Sequence, residues 1–108
     1  MLFNTFEMAN LTAVAAATNS STMECLQTTK LAVQCVYTVT TGSYTLQLQE
    51  SVDGSNWENI SGASTSVTST GKALYKVTDA VSKYYRVNVA KTSGTIDTLV
   101  ITAHAKGV

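Results

Sequence analysis

The side chains able to do chemistry in this sequence are few and scattered. His104 is the only histidine, and a general base needs an acid or a nucleophile held within hydrogen-bond reach. On the strand predicted around it, His104 shares a face with Thr102 and Val100, which reads as a surface or interface histidine rather than a catalytic one. Glu50, Asp53 and Glu58 flank the polar run Asp53-Gly54-Ser55-Asn56. Paired carboxylates suit glycoside hydrolysis and clustered oxygens suit calcium, but the run is a thin version of a calcium loop, and an Asx-type turn accounts for it. Cys25 and Cys35 are the only cysteines. If the chain reverses around Thr28 to Lys30 they fall opposite each other, which allows a disulfide in an oxidising compartment; two small buried thiols are the plainer reading. A metal site would need more ligands than two thiols and a distant His104 supply. The sequence has no glycine-rich phosphate loop, no thiol beside a histidine and no nucleophile elbow. An enzyme is therefore not expected, and neither a metal nor a cofactor is.

Aromatic rings offer a different chemistry, the stacking of sugars. Tyr37, Tyr44 and Tyr85 fall in apolar rows and are assigned to the core. Trp57, the only tryptophan, and Tyr75, whose strand alternates Ala73, Tyr75 and Val77 with Lys72, Leu74 and Lys76 on a mixed face, are not placed by parity, which makes them the candidate pair for a glycan platform. Core packing at the edge of the domain is the competing account of Trp57.

The elements that would position these residues are strands. Tyr44, Leu46 and Leu48 alternate with Thr45, Gln47 and Gln49, and Leu31, Val33, Cys35, Tyr37 and Val39 alternate with more polar neighbours, the period of a half-buried strand. Tyr85, Val87 and Val89 form another such row, and Leu99, Ile101 and Ala103 a fourth. Thr41-Gly42-Ser43, Asp53 to Asn56 and Thr92-Ser93-Gly94-Thr95 read as turns, the last as a hairpin loop. Seven or eight short strands at about ten-residue spacing predict an all-β domain, a β-sandwich or jelly roll, over residues 20–108. Residues 1–19 neither alternate nor hold a helical stripe. Leu2, Phe3, Phe6, Met8 and Leu11 are too apolar for a solvated tail, so a partly extended arm laid on a neighbouring subunit or a larger host surface is expected; packing under the domain's own sheet and a short helix over Glu7 to Ala17 are the alternatives.

Composition narrows the partners. The 108 residues make one domain, only 13% are charged, and seven basic side chains balance seven acidic ones. No basic stripe is present to meet phosphates, so nucleic acid is not an expected partner. No secretory signal is recognised, since the first basic residue is Lys30, and no apolar run is long enough for a membrane helix. A surface this weakly charged carries few groups to desolvate when copies pack together, and the absence of proline leaves edge strands open to pairing. Both features favour assembly into a homo-oligomer.

Two segments carry a resemblance. LQLQESVDGSNWENISGAS resembles a strand, Asp-Gly turn, Trp and strand unit of small β-sandwiches in phage virion proteins, and more loosely of discoidin-type carbohydrate-binding domains. KYYRVNVAKTSGTIDTLVITAHAKG is similar to the C-terminal hairpin of the same phage domains. Together the two cover about two fifths of the chain. The resemblance implies a structural protein of a tailed-bacteriophage virion, a head decoration or cement protein on the capsid exterior, made in the host cytoplasm. It also implies clustering as trimers and clamping of neighbouring major capsid protein subunits, with avidity over the lattice in place of one strong contact. A tail or fibre component and a carbohydrate-binding module using Trp57 and Tyr75 are the alternatives.

Overall fold

Alternation of apolar and polar residues builds the strands. The structure, a computed structural model, describes the backbone of residues 3–24, 28–78 and 80–107 and the side chains of residues 5, 7–24, 30–78 and 80–106. Its elements are β1 (Phe3–Val14), β2 (Thr18–Asn19), β3 (Met23–Glu24), β4 (Thr28–Thr38), β5 (Thr41–Ser51), β6 (Glu58–Val67), β7 (Gly71–Val77) and β8 (Tyr84–Gly107). The fold is all-β, a sandwich in which every described strand pairing is antiparallel.

β8 organises it. Its 24 residues pair on one side with β1, β2 and β3 and on the other with β4 and β5. The second half of β8 joins β1, β4 and β7 in a first sheet, and its first half joins β2, β3, β5 and β6 in a second. β4 and β5 do not form a hairpin with each other. Thr38 opposes Thr98 and Thr41 opposes Thr95, so they run end to end along β8 and pass together from one sheet to the other. The expected turn at Thr41-Gly42-Ser43 and the expected hairpin loop at Thr92 to Thr95 are thus corrected to the two sides of one corner, where strands bend between sheets. A register shift between Ser43 and Tyr44, opposite Ser93 and Lys91, marks the bulge that produces the bend.

The corner is pinned from several directions. Gly42 and Gly94 oppose each other with φ of 137° and 73°, conformations that side chains with a Cβ disfavour. The Asp97 carboxylate accepts the Thr40 N–H at 3.1 Å and the Thr40 hydroxyl at 2.7 Å. The Tyr44 hydroxyl, with one proton to give, lies 2.6 Å from the Val14 carbonyl and 2.9 Å from that of Gly94, tying the end of β1 to the corner.

The rows expected to face inward do so. Leu31, Val33, Cys35, Tyr37, Val39, Tyr44, Leu46 and Leu48 meet Tyr85, Val87, Val89, Leu99, Ile101 and Ala103 in one buried cluster between the sheets. At one margin the sheets are linked through the Ser21 N–H, which donates to the Met8 carbonyl at 2.9 Å, and the Ser20 hydroxyl, which accepts the Val87 N–H at 2.8 Å. At the other, the turn between β6 and β7 is held by the Thr70 hydroxyl, which accepts the Val39 N–H at 3.0 Å. Away from the corner, where Leu31 pairs with Ala105 in the first sheet and Ser51 with Tyr84 in the second, the ends of the two sheets form the open end of the sandwich.

In place of the expected arm or helix, residues 3–14 form β1, paired with β8 of the same chain from Phe3 opposite Lys106 to Val14 opposite Ile96. Met8 is fully buried at a bulge between Glu7 and Ala9, and Leu11 packs opposite Leu99. The boundary expected at residue 19 has no counterpart, because β1 and β2 flank one strand of the sandwich.

Candidate interaction surfaces

Strand parity decides what each sheet shows to its surroundings. On the outside of the first sheet, Val36 of β4 faces Val100 of β8 and Lys72 of β7, while the next pair along is Gln34 with Leu74. Leu74, Val36 and Val100 therefore lie on a diagonal across three adjacent strands. Leu74 is 56% exposed and Val36 45%, an apolar line on a face that also carries Thr, Gln and Ala together with the exposed Lys72 and Lys76. Thr5 and His104 sit farther along, joined through the Thr5 hydroxyl and His104 Nδ1 at 2.9 Å, and His104 is exposed.

The outside of the second sheet is an amide surface. The Asn88 side chain donates to Asn19 at 2.8 Å, Gln49 donates to Asn59 at 2.9 Å, and Arg86 Nε donates to Gln49 at 2.9 Å. The Arg86 guanidinium stacks over the Trp57 ring, 4.2 Å from its centroid. Trp57 is half-buried with this ring face covered. Tyr75 is buried on the inward side of β7, its hydroxyl bonded to the Thr65 hydroxyl. The expected flat pair of Trp57 and Tyr75 is not formed, because strand parity sends Tyr75 into the core while Trp57 stays beside the second sheet's outer face.

The open end carries two grooves. Glu50, Asp53 and Glu58, with Val52, Val81 and Ser82, line one of about 420 Å³. Val52 and Val81 are 75% and 79% exposed, and Glu50 accepts the Ser82 hydroxyl at 2.7 Å. Asp53 closes its own loop: Oδ1 accepts the N–H groups of Ser55 and Asn56, both at 2.8 Å, and Oδ2 accepts the Asn56 amide at 2.6 Å. The Asn56 and Ser55 N–H bonds hold its carboxyl well below the usual carboxylate range. These oxygens serve an Asx-type turn, and among the described residues no three His, Cys, Asp or Glu side chains gather to hold a metal. The second groove, of about 180 Å³, is lined by Lys30, Lys76, His104 and Lys106 around Leu31, Ala32 and Val77.

Of the residues singled out from sequence, Met8 and Leu11 belong to the chain's own packing, Phe3 and Phe6 are backbone partners of Lys106 and Ala103, and Leu2 lies outside the described residues. Cys35 is a free thiol in the core, with burial pushing its pKa up to about 12, and Cys25 lies outside the described residues. Sequence reasoning missed the Arg86 stack and the lysine groove. Lys30, Lys76 and Lys106 are far apart along the chain, and only strand order brings them together.

No family model matches the sequence, and no curated protein matches it. Solved structures do resemble it. PBSX exported protein XepA superposes with a TM-score of 0.75 at 15% identity over 97% of this chain, which spans 37% of that protein's length. SPBc2 prophage-derived protein YomS gives 0.69 at 12% identity, covering 95% of this chain and 91% of its own. A subunit of Bacillus endospore appendages, described as disulfide-linked pili, gives 0.66 at 13% identity, covering 99% and 88%. At these identities the likeness establishes the fold alone, an all-β sandwich shared with a PBSX exported protein, an SPBc2 prophage-derived protein and endospore pili.

Proposed function

We propose that this chain is a structural protein of a tailed-bacteriophage virion, a head decoration protein that clamps neighbouring major capsid subunits and performs no reaction. The observation that carries this reading is the outer face of the first sheet. Leu74, Val36 and Val100 make a continuous apolar line on the exposed face of a sheet, flanked by Lys72 and Lys76, the character of a docking face rather than of a substrate cleft. The likeness in fold to an SPBc2 prophage-derived protein supports the same assignment. In this reading the contact is made by the outer face, to which β1 contributes Thr5, Glu7, Asn10 and Thr12, rather than by apolar side chains of a free arm. Each copy binds weakly, and repetition over the lattice, in trimers, supplies the stability.

A second reading, a tail or appendage subunit, is supported by the match to the pilus protein over nearly the full length of both chains. Cys35 is unsuited to linking such subunits, because its thiol is fully buried. Immunogold labelling of purified particles separates the two. Label over the head supports the decoration reading, label on tails or filaments supports the second, and particles without label overturn both.

A further inference from the structure

The open end of the sandwich presents grooves of opposite charge, and we propose that it is a self-association surface, where the acidic groove of one copy receives the lysine-rimmed groove of a second copy. Glu50 and Glu58 stand directly opposite each other in the register of β5 and β6. Like charges so placed repel, and a cation brought between them relieves the repulsion. The Ser82 hydroxyl reaches Glu50 but brings no charge. Lys83, next in sequence, is turned to Glu24 at 3.9 Å and lies over the Tyr84 ring.

The complement to this groove is on the same chain. Lys30 and Lys76 are exposed at the rim of a groove whose floor is Leu31, Ala32 and Val77. The acidic groove offers Val52 and Val81 as exposed apolar knobs beside its carboxylates. Apolar contact and charge pairing are thus matched between two surfaces of one protein, and a net charge of zero leaves no overall repulsion between copies. The contact is heterologous, one patch against a different patch, so its repetition closes a ring or extends a filament. This inference does not depend on attachment to a capsid.

Sedimentation equilibrium of the full chain at low salt tests it with wild type, Lys76→Glu, Glu58→Lys and the double swap, each checked for folding by circular dichroism. Wild type is expected to associate, each single variant to associate roughly tenfold more weakly, and the double swap to recover. Raising the salt to about 1 M, where the screening length falls to about 3 Å, is expected to weaken wild type as the single variants do. A monomeric wild type, single variants that associate normally, or a double swap no better than its parents overturns the proposal. Binding to capsid shells is a separate assay, so that reading stands or falls independently.

Discussion

Gly42 and Gly94 face each other so closely across the corner that a Cβ on Gly94 would overlap the Gly42 Cα and come within 2.8 Å of the Thr41 carbonyl oxygen. Gly94 also holds a φ of 73°. Gly94→Ala is therefore expected to cost roughly 2–4 kcal/mol, from the positive φ and from backbone that has no room to yield. Urea denaturation measures it. A loss under about 0.5 kcal/mol, the range of an ordinary surface change, would show that the corner is not tightly packed.

Asp53 gives the protein an acid-sensitive loop. Its folded pKa is lowered, chiefly by the N–H groups of Asn56 and Ser55, so its contribution is full above the unfolded carboxylate value of about 4 and is lost as pH falls through the lowered folded value. Asp53→Asn should unfold at lower urea than wild type near neutrality, and the gap should narrow below about pH 3. A gap that is constant with pH would mean that the charge does not matter.

Cys35 should be inert to thiol reagents while the protein is folded, since the thiolate is the reactive form and burial raises the thiol pKa from 9.0 to about 12. In a Cys25→Ser background, alkylation of Cys35 is expected only as the chain unfolds. The same shift has a sign in stability: it holds below the unfolded thiol value and is lost as pH rises towards the folded one. Rapid labelling under native conditions would contradict the buried placement.

Trp57 reports on Arg86. The stacked guanidinium covers one ring face, so Arg86→Ala should shift the emission of the single tryptophan to longer wavelength and cost about 0.5–1 kcal/mol from the cation–π contact. An unchanged spectrum would mean that the stack is not populated.

The inward rows were legible because a two-residue period needs no knowledge of partners. Val33, Leu46, Val87 and Ile101 all lie where their parity put them. The corner was not legible, because Thr41-Gly42-Ser43 and Thr92 to Thr95 have the composition of a reversal, and only pairing to β8 shows that the chain goes on. β1 was hidden by its bulge between Glu7 and Ala9 and by Ala13 at a φ of 51°, which break the alternation twice. The surfaces were least legible of all. Leu74 and Val36 sit on polar-facing rows where a single sequence gives no reason to join them, and Tyr75 shares a short row with Ala73 and Val77 whose inward direction is blurred by Leu74 in the opposite row of Lys72 and Lys76.

The most direct test of the assembly reading is a titration of phage shells depleted of this protein with wild type and with Val36→Glu/Leu74→Glu, scored by bound copies and by the temperature at which the shells open. Both substitutions lie on an exposed face, so the sandwich should fold unchanged. The account predicts saturable binding and a raised opening temperature for wild type, and loss of both for the variant. Shells that ignore the wild-type protein, or that bind the variant equally well, would contradict it.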